Sequence, residues 1–363
     1  MTLTIEHHTR KVSASPSSNR KTQKSGTPAE YSKWLAKGYP YAKHFIQPKH
    51  LIRRLRAYEP TISNEPYYYV YRKYVPEDIK EFKFRNKYVS IDIPLEAHNQ
   101  LDIIVDYYTE ESRLKCSLKD KPSAHQLIQT PKNNLLEYTL KNMIKEKRPI
   151  TYESYRDEIY NYPGIYICSG ESVLFYKGVI SVLYGENYDS SQLNIMDGAI
   201  GYGQRLMTAL VLKCNYIGID PNTETIDGCH QMIRDLSVSP MRQRAYPEGL
   251  PESPAINNVP ARSQDIVFFS PPAFDAELYG THEAQSIVLF PTYEVWLAKF
   301  LKPSFLILAS KIRPGGYFVI QSITMKTNFS FLNQIPNLKF IGVIARKTYS
   351  NYYKLNYVFK AIA

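Results

Sequence analysis

The stretch DIVFFSPPAFD, Asp265 to Asp275, runs a β-forming segment straight into Ser270-Pro271-Pro272. Neither proline has an N–H to give to a sheet ladder, so the strand must end there in a short rigid corner. A corner of that kind can fix a serine hydroxyl and a proline carbonyl side by side. Two fixed acceptors can hold both N–H bonds of an exocyclic amino group; the competing reading of Ser270 is a plain loop serine. Such an amine is a poor nucleophile because its lone pair is delocalised into the ring. With its hydrogens on Ser270 and the Pro271 carbonyl, the lone pair is freed toward an electrophilic methyl group. The help is positioning and preorganised dipoles, without a covalent intermediate.

Two upstream stretches bear on what would supply the methyl. In IMDGAIGYGQRL (195–206) a strand reaches Asp197, and Gly201 and Gly203 precede a helix. Glycines let backbone amides approach a ligand at a helix N-terminus, where anionic groups are favoured. Asp220 ends the next strand, 17 residues beyond Gly203. A Rossmann-type fold sets a carboxylate on ribose hydroxyls at about that spacing. A nicotinamide enzyme has no need of Ser-Pro-Pro after a later strand, whereas an amine methyltransferase does.

In their order these stretches resemble the S-adenosylmethionine-dependent amino-methyltransferases that act on adenine or cytosine in nucleic acid, in particular a group from phages and large DNA viruses. The resemblance rests on D-G-A-I-G-Y-G-Q-R-L (197–206), G-I-D-P-N (218–222) and S-P-P-A-F-D-A-E-L-Y (270–279). DYYTEESR (106–113), Gln285-Ser286, TYEVWLAKFLKP (292–303) and RPGGYFVI (313–320) also fit, so it covers about residues 100–363. It implies that Asp197, Gly201 and Gly203 lie along the methionine part of the cofactor, with Asp220 on its ribose. Ser270, Pro271 and Pro272 would face the target amine, with Phe274 completing the catalytic stretch.

The chain departs from the family in places. Ala273 stands where the family has an aromatic that stacks on a base drawn out of its helix. Stacking of that kind is worth ~1–3 kcal/mol per base. Phe274 is adjacent, but a conventional backbone turns it elsewhere. Gly198 replaces a proline, Ile200 replaces a small residue, and CSGESVLFYKG (168–178) lacks the family's proline-containing pattern. A second reading therefore stays open: a catalytically inactive chain of the same fold, serving as a nucleic-acid-binding or structural component, for instance of a virus. A third is a methyltransferase of capped or structured RNA ends, stacking the base on tyrosines of the N-terminal region. Glu277, Tyr279 and His282 are either cleft or loop residues, and Trp296 reads as a core anchor.

These residues need a sheet to position them. Strands are expected at 193–198, 216–220, 265–270 and 315–323, and helices at 204–213 and 225–236. A longer helix over 293–312 should kink or split at Pro303. Residues 340–346 and 355–362 close the chain like a hairpin. The alternation predicts an α/β fold, and with the resemblance a Rossmann-like class I methyltransferase sheet, mostly parallel with an antiparallel C-terminal strand. Residues 151–363 would form that domain. Residues 31–150 would form a mixed α/β accessory region contacting nucleic acid, with strands at 67–74 and 87–94 and a helix at 134–147. Residues 1–30 lack bulky apolar side chains and read as a disordered basic tail.

Of the net charge of +11, residues 1–60 carry +9. A basic arm on a nearly neutral body suggests a polyanionic partner, DNA or RNA, held by phosphate contacts. The candidate contacts are Arg10, Lys11, Arg20, Lys21, Lys24, Arg53, Arg54 and Arg56; a solubilising tail is the competing reading. No apolar run approaches the length of a membrane helix, and no secretory h-region is visible. The four cysteines have no metal-ligand spacing, so the expectation is an intracellular, reducing compartment and no metal. Cytoplasm, nucleus, virus factory and virion all remain open.

Overall fold

The computed structural model describes residues 28–63, 89–130, 134–185, 187–274, 277–321, 331–332, 335–347 and 353–362. Its strands, in chain order, are β1 (Thr61–Ser63), β2 (Val89–Asp92), β3 (Cys116–Leu118), β4 (Asn194–Asp197), β5 (Asn215–Ile219), β6 (Gln243–Tyr246), β7 (Gln264–Phe269), β8 (Glu277–Tyr279), β9 (Ile312–Gln321), β10 (Leu338–Lys347) and β11 (Tyr353–Ala361).

Nine of them form one sheet, ordered β1-β2-β10-β11-β9-β7-β4-β5-β6. From β9 to β6 every pairing is parallel. β11 is inserted between β9 and β10 and runs antiparallel to both. The expected closing hairpin is therefore present.

Helices cover both faces, which is why the central strands read as continuous apolar runs. All six residues of β7 are buried. Ile266 and Phe268 join a core with the helices Val173–Tyr184, Gln204–Leu212 and Thr223–Leu236, whereas Val267 and Phe269 face Trp296, Phe305 and Leu308. β9 divides in the same way, Tyr317 and Val319 to the first face and Phe318 and Ile320 to the second. Period-two alternation thus serves two cores at once.

The expected helix over 293–312 is interrupted. It begins at Tyr293–Val295, widens into a π-helical turn over Trp296–Leu301 and resumes at Lys302–Ser310. Pro303 has no N–H and its ring crowds the carbonyl one turn back, so a wider turn before it relieves the conflict.

The N-terminal residues add to this sheet. β2 pairs in parallel with β10, and β1 pairs antiparallel with β2. Helices Pro28–Ala36, Leu135–Lys145 and Tyr152–Tyr160 surround a smaller core of Trp34, Leu140, Tyr155 and Ile159. Of the segment expected to be unstructured, residues 28–30 open the first helix; residues 1–27 and the strand expected at 67–74 lie outside the described residues. The strand expected at 87–94 is found over 89–92, and the helix expected at 134–147 over 135–145.

Candidate active site

β4, β5 and β7 are neighbours in the sheet, so the loops leaving their carboxyl ends emerge together. One crevice of about 690 Å³ opens there. Gly198 to Tyr202, Asp220, Ser270, Pro271, Pro272 and Ala273 all line it. The glycine bend, Asp220 and the double-proline corner therefore share a single cavity, in the size range of a small-molecule site.

The glycine loop is pinned at three points. Gly198 N–H donates to the Phe268 carbonyl at 3.0 Å and Ile200 N–H to the Ile219 carbonyl at 2.9 Å. Gly201 N–H donates to Asp220 Oδ2 at 3.0 Å. Gly201 has φ +58°, and nothing lies within 4 Å of where a Cβ would stand. The loop thus presents bare backbone to the cavity. Ile200, which replaces a small residue, borders the crevice, but its side chain is buried in the core with Cγ1 resting on Gly218.

Asp220 takes one N–H on each carboxylate oxygen, from Gly201 and from Asn222, the latter at 3.0 Å. Each oxygen keeps a further lone pair for the cavity. Burial pushes its carboxyl up to about 6, against the opposing pull of the two N–H donors. Asn222 caps the helix Thr223–Leu236 by accepting from Thr225 N–H, and its amide donates to Ser112 Oγ and to the Tyr279 carbonyl. One side chain thereby joins the end of β5 to two other walls.

Asp197 and Gly203 are not where the resemblance placed them. Asp197 is fully buried below the loop and does not line the crevice. Its Oδ2 accepts from Arg205 Nε and from the Tyr216 hydroxyl, each at 2.7 Å, and its Oδ1 from Ala199 N–H at 3.2 Å. Its work is to hold the loop. Gly203, at φ +97°, turns the chain into the helix Gln204–Leu212 and packs against Met232.

Arg205 extends this support across the floor of the site. It donates to the Tyr176 hydroxyl at 2.9 Å, Tyr176 donates to Gln321 Oε1, and Gln321 Nε2 donates to Glu171 at 3.0 Å. Arg346 completes the row on Glu171. Burial alone would raise the Glu171 carboxyl, but Arg346 and Lys354 hold it below its usual range. None of these partners is a sequence neighbour of the next, so no local pattern announces the row.

The DYYTEESR segment acquires a role in the same framework. It lies on the helix Ile103–Arg113, with Asp106, Thr109, Glu110 and Ser112 buried. Thr109 donates to the Tyr202 carbonyl at 2.8 Å, and Arg113 Nε to the Cys168 carbonyl at 2.7 Å. The helix thus fixes the glycine loop and the 168–171 segment, which lines the crevice beside it.

Beyond the double proline, Phe274 is turned away from the crevice. It meets Tyr293 edge-on and tilts against Trp296, with centroids at 5.7 and 5.8 Å. Phe274 is half-buried and packs against the core, whereas Ala273, directly after the prolines, lines the cavity. Glu277, Tyr279 and His282 line it as well. Gln285 organises this wall, accepting from Tyr279 N–H at 2.7 Å and donating to the Gly280 and His282 carbonyls. Both ring nitrogens of His282 are buried without a hydrogen-bond partner among the described residues. Burial lowers its pKa, so the ring is neutral and keeps one donor and one acceptor. Leu289 and Phe290 give the wall an apolar rim.

The basic candidates divide. Arg10, Lys11, Arg20, Lys21 and Lys24 lie outside the described residues. Arg53 and Arg54 are exposed on the helix Pro48–Ala57, and Arg54 donates to Gln100. Arg56 is committed to structure, for it donates to the Leu210 and Val211 carbonyls at the end of the helix Gln204–Leu212. None of the three lines the crevice. No helix among the described residues is long and apolar enough to cross a membrane.

The strand order, with an antiparallel strand inserted beside the last parallel one and the crevice at the carboxyl ends of β4, β5 and β7, defines a Rossmann-like class I methyltransferase fold. Solved structures similar to it include a SAM dependent methyltransferase from Aquifex aeolicus, at 11% identity and TM-score 0.34 over 51% of this chain and 89% of that one. Another is the T. thermophilus 16S rRNA N2 G1207 methyltransferase RsmC, in complex with AdoMet and guanosine, at 13% identity and TM-score 0.34 over 54% of this chain and 44% of that one. No family model matches the sequence. No curated protein matches it either.

Proposed function

We propose that this protein is an S-adenosylmethionine-dependent methyltransferase of the exocyclic amino group of a nucleic-acid base, adenine or cytosine. The observation that carries the proposal is the single crevice joining Gly201, Asp220 and Ser270-Pro271. The residues suit the cofactor: bare backbone at Gly201, two carboxylate lone pairs on Asp220 for vicinal hydroxyls, and a volume of about 690 Å³. When bound, the cofactor supplies an electrophilic methyl on a sulfonium.

The chain's own residues do the rest. Ser270 and the Pro271 carbonyl accept the two amine N–H bonds and direct the lone pair at the methyl. The C–N bond would form as the C–S bond breaks to leave a thioether, and the nitrogen would pass its surplus proton to water by way of the Ser270 hydroxyl. Neutral His282, with one donor and one acceptor to give, suits the Watson–Crick edge of an extracted base. Leu289 and Phe290 offer the apolar surface that Ala273 does not. Titration calorimetry with S-adenosylmethionine tests the first requirement, and transfer of labelled methyl to DNA and RNA tests the second. Binding with base-amino methylation is the expected result; no binding up to millimolar cofactor overturns the proposal.

The buried Asp220 gives a pH signature. Below about 6 its carboxyl is protonated and one acceptor for a ribose hydroxyl is lost. Cofactor affinity is therefore expected to weaken by up to about tenfold per pH unit below that value and to level off above it. The contribution of this group to stability has the opposite sign. Its raised pKa favours the neutral form in the folded chain, so that contribution is full below the ordinary carboxylate range and is lost as pH rises through about 6. Calorimetry between pH 5 and 8 checks the binding profile, and Asp220→Asn should flatten it. A flat profile in the unaltered protein excludes Asp220 as the acceptor.

The burial of Phe274 among Tyr293 and Trp296, with Ala273 in the crevice, favours one alternative: a chain that binds nucleic acid without methylating it. Base methylation that disappears with the crevice variants discussed below rules it out.

A further inference from the structure

Three residues far apart in sequence meet at one wall of the crevice. Cys116 lies on β3, Cys168 in the wall segment and Glu277 on β8, and their sulfur and carboxylate atoms all lie within 4.8 Å of one another. β3 and β8 form a two-stranded antiparallel sheet pairing Cys116 with Tyr279 and Leu118 with Glu277. Cys116 and Glu277 are thus diagonal neighbours across the pair, a separation that side chains of this length can bridge. We propose that Cys116, Cys168 and Glu277 form a zinc site, with two thiolates and one carboxylate as protein ligands and a fourth position facing the crevice.

The donor set is that of a borderline-soft divalent cation. Cys168 Sγ donates to Glu277 Oε1 at 3.4 Å. A tetrahedral ion with bonds of about 2.3 Å to sulfur and 2.0 Å to oxygen has an S–O edge of roughly 3.5 Å, so this edge already has the required length. Both thiols release their protons to solvent on binding, so the metal takes the place of that hydrogen bond, and the Cys116 sulfur, within 4.8 Å of the other two ligand atoms, is the third vertex.

The surroundings match what metal ligands need. Tyr166 and Tyr279 both donate hydroxyls to Glu277 and fix its carboxylate, while Arg113 holds the Cys168 carbonyl. Such outer partners set ligand orientation in metal sites. An independent observation points the same way. The Tyr202 hydroxyl, on the glycine loop that borders the same crevice, is buried without a hydrogen-bond partner among the described residues. Cys168, Glu277 and Tyr279 line the crevice, which gives the ion a path in. The bound metal would clasp the segment after the catalytic corner to the wall beside the glycine loop.

The test is metal analysis of the full chain purified without chelator, together with cobalt substitution. About one zinc per chain is expected, with a thiolate-to-cobalt charge-transfer band, and chelation should lower the melting temperature. Cys168→Ser and Glu277→Gln should each lose most of the metal, while Cys214→Ser keeps it. If a ligand variant fails to fold, zinc content and cobalt spectrum of the unaltered chain still decide. Zinc-free folded protein that takes up no cobalt overturns the proposal, and so does a disulfide that peptide mapping assigns to Cys116–Cys168.

Discussion

Ser270→Ala is expected to slow methyl transfer by about 10²–10³-fold while leaving S-adenosylmethionine affinity almost unchanged, the cost usual for removing one preorganised hydrogen-bonding group at the reacting centre. In the proposed reaction the amine must present its lone pair to the methyl carbon, and it does so only when both hydrogens are directed elsewhere. The Pro271 carbonyl belongs to the backbone and survives any substitution, so Ser270 is the acceptor that can be removed alone. Ser270 and Asp220 line one crevice but belong to different loops, which is why cofactor binding should not follow the loss. Ser270→Thr retains the hydroxyl and should recover part of the rate. Single-turnover kinetics beside calorimetry separates the two effects. An unchanged rate in Ser270→Ala would remove the double-proline corner from the mechanism.

The second large effect concerns stability. Arg156 donates through Nη2 to Asp106 and through Nε to Glu110, and all three side chains are buried. Glu110 also accepts from the Tyr39 and Tyr160 hydroxyls, each at 3.0 Å, and from Ala42 N–H at 2.7 Å. Asp106 keeps a second cation in Arg113, whereas Arg156 is the one ion-pair partner of Glu110 among the described residues. Arg156→Met should therefore destabilise the chain by about 3–5 kcal/mol, the usual result of leaving a buried charge unpaired. Burial already raises the Glu110 carboxyl, and Arg156 opposes that rise. Without the arginine the folded state takes up a proton there more readily, so the deficit should shrink as pH falls and be largest near neutrality. Urea unfolding at pH 5 and pH 8 reads both statements, and Glu110→Gln added to Arg156→Met should restore part of the loss. Equal stability of Arg156→Met and the unaltered chain at pH 8 would show that the pair contributes nothing net.

The elements that the sequence makes legible are those with strong periodic or steric signals. β7, with its apolar run Ile266–Phe269 stopped by Ser270 and two prolines, the glycines before Gln204–Leu212 and the acid after β5 could be read because each leaves a local mark. The convergence of their loops followed from strand alternation and was found. What could not be read was long-range. Asp197 looks like a ligand-facing acid until Arg205 and Tyr216 are seen to consume it. Cys116 and Cys168 are separated in sequence by a helical region and show no ligand spacing. β1 and β2, of three and four residues, are too short for periodicity to assign them to the main sheet. Phe274 differs in kind: its neighbours Tyr293 and Trp296 come from the interrupted helix, and the form of that interruption depends on packing rather than on Pro303 alone.

Gly218 has no room for a methyl group, since a Cβ there would stand 2.7 Å from both Ile200 Cγ1 and the Tyr216 hydroxyl. Two departures from simplicity are thereby tied to one bare position: a bulky aliphatic under the loop, and a phenol that reaches Asp197. Substitution at 200, 216 or 218 is consequently a question of shared volume, in which bulk gained at one site has to be surrendered at another. The glycine in G-I-D-P-N serves as the spacer that allows the floor of the crevice to be filled from below while its surface stays open.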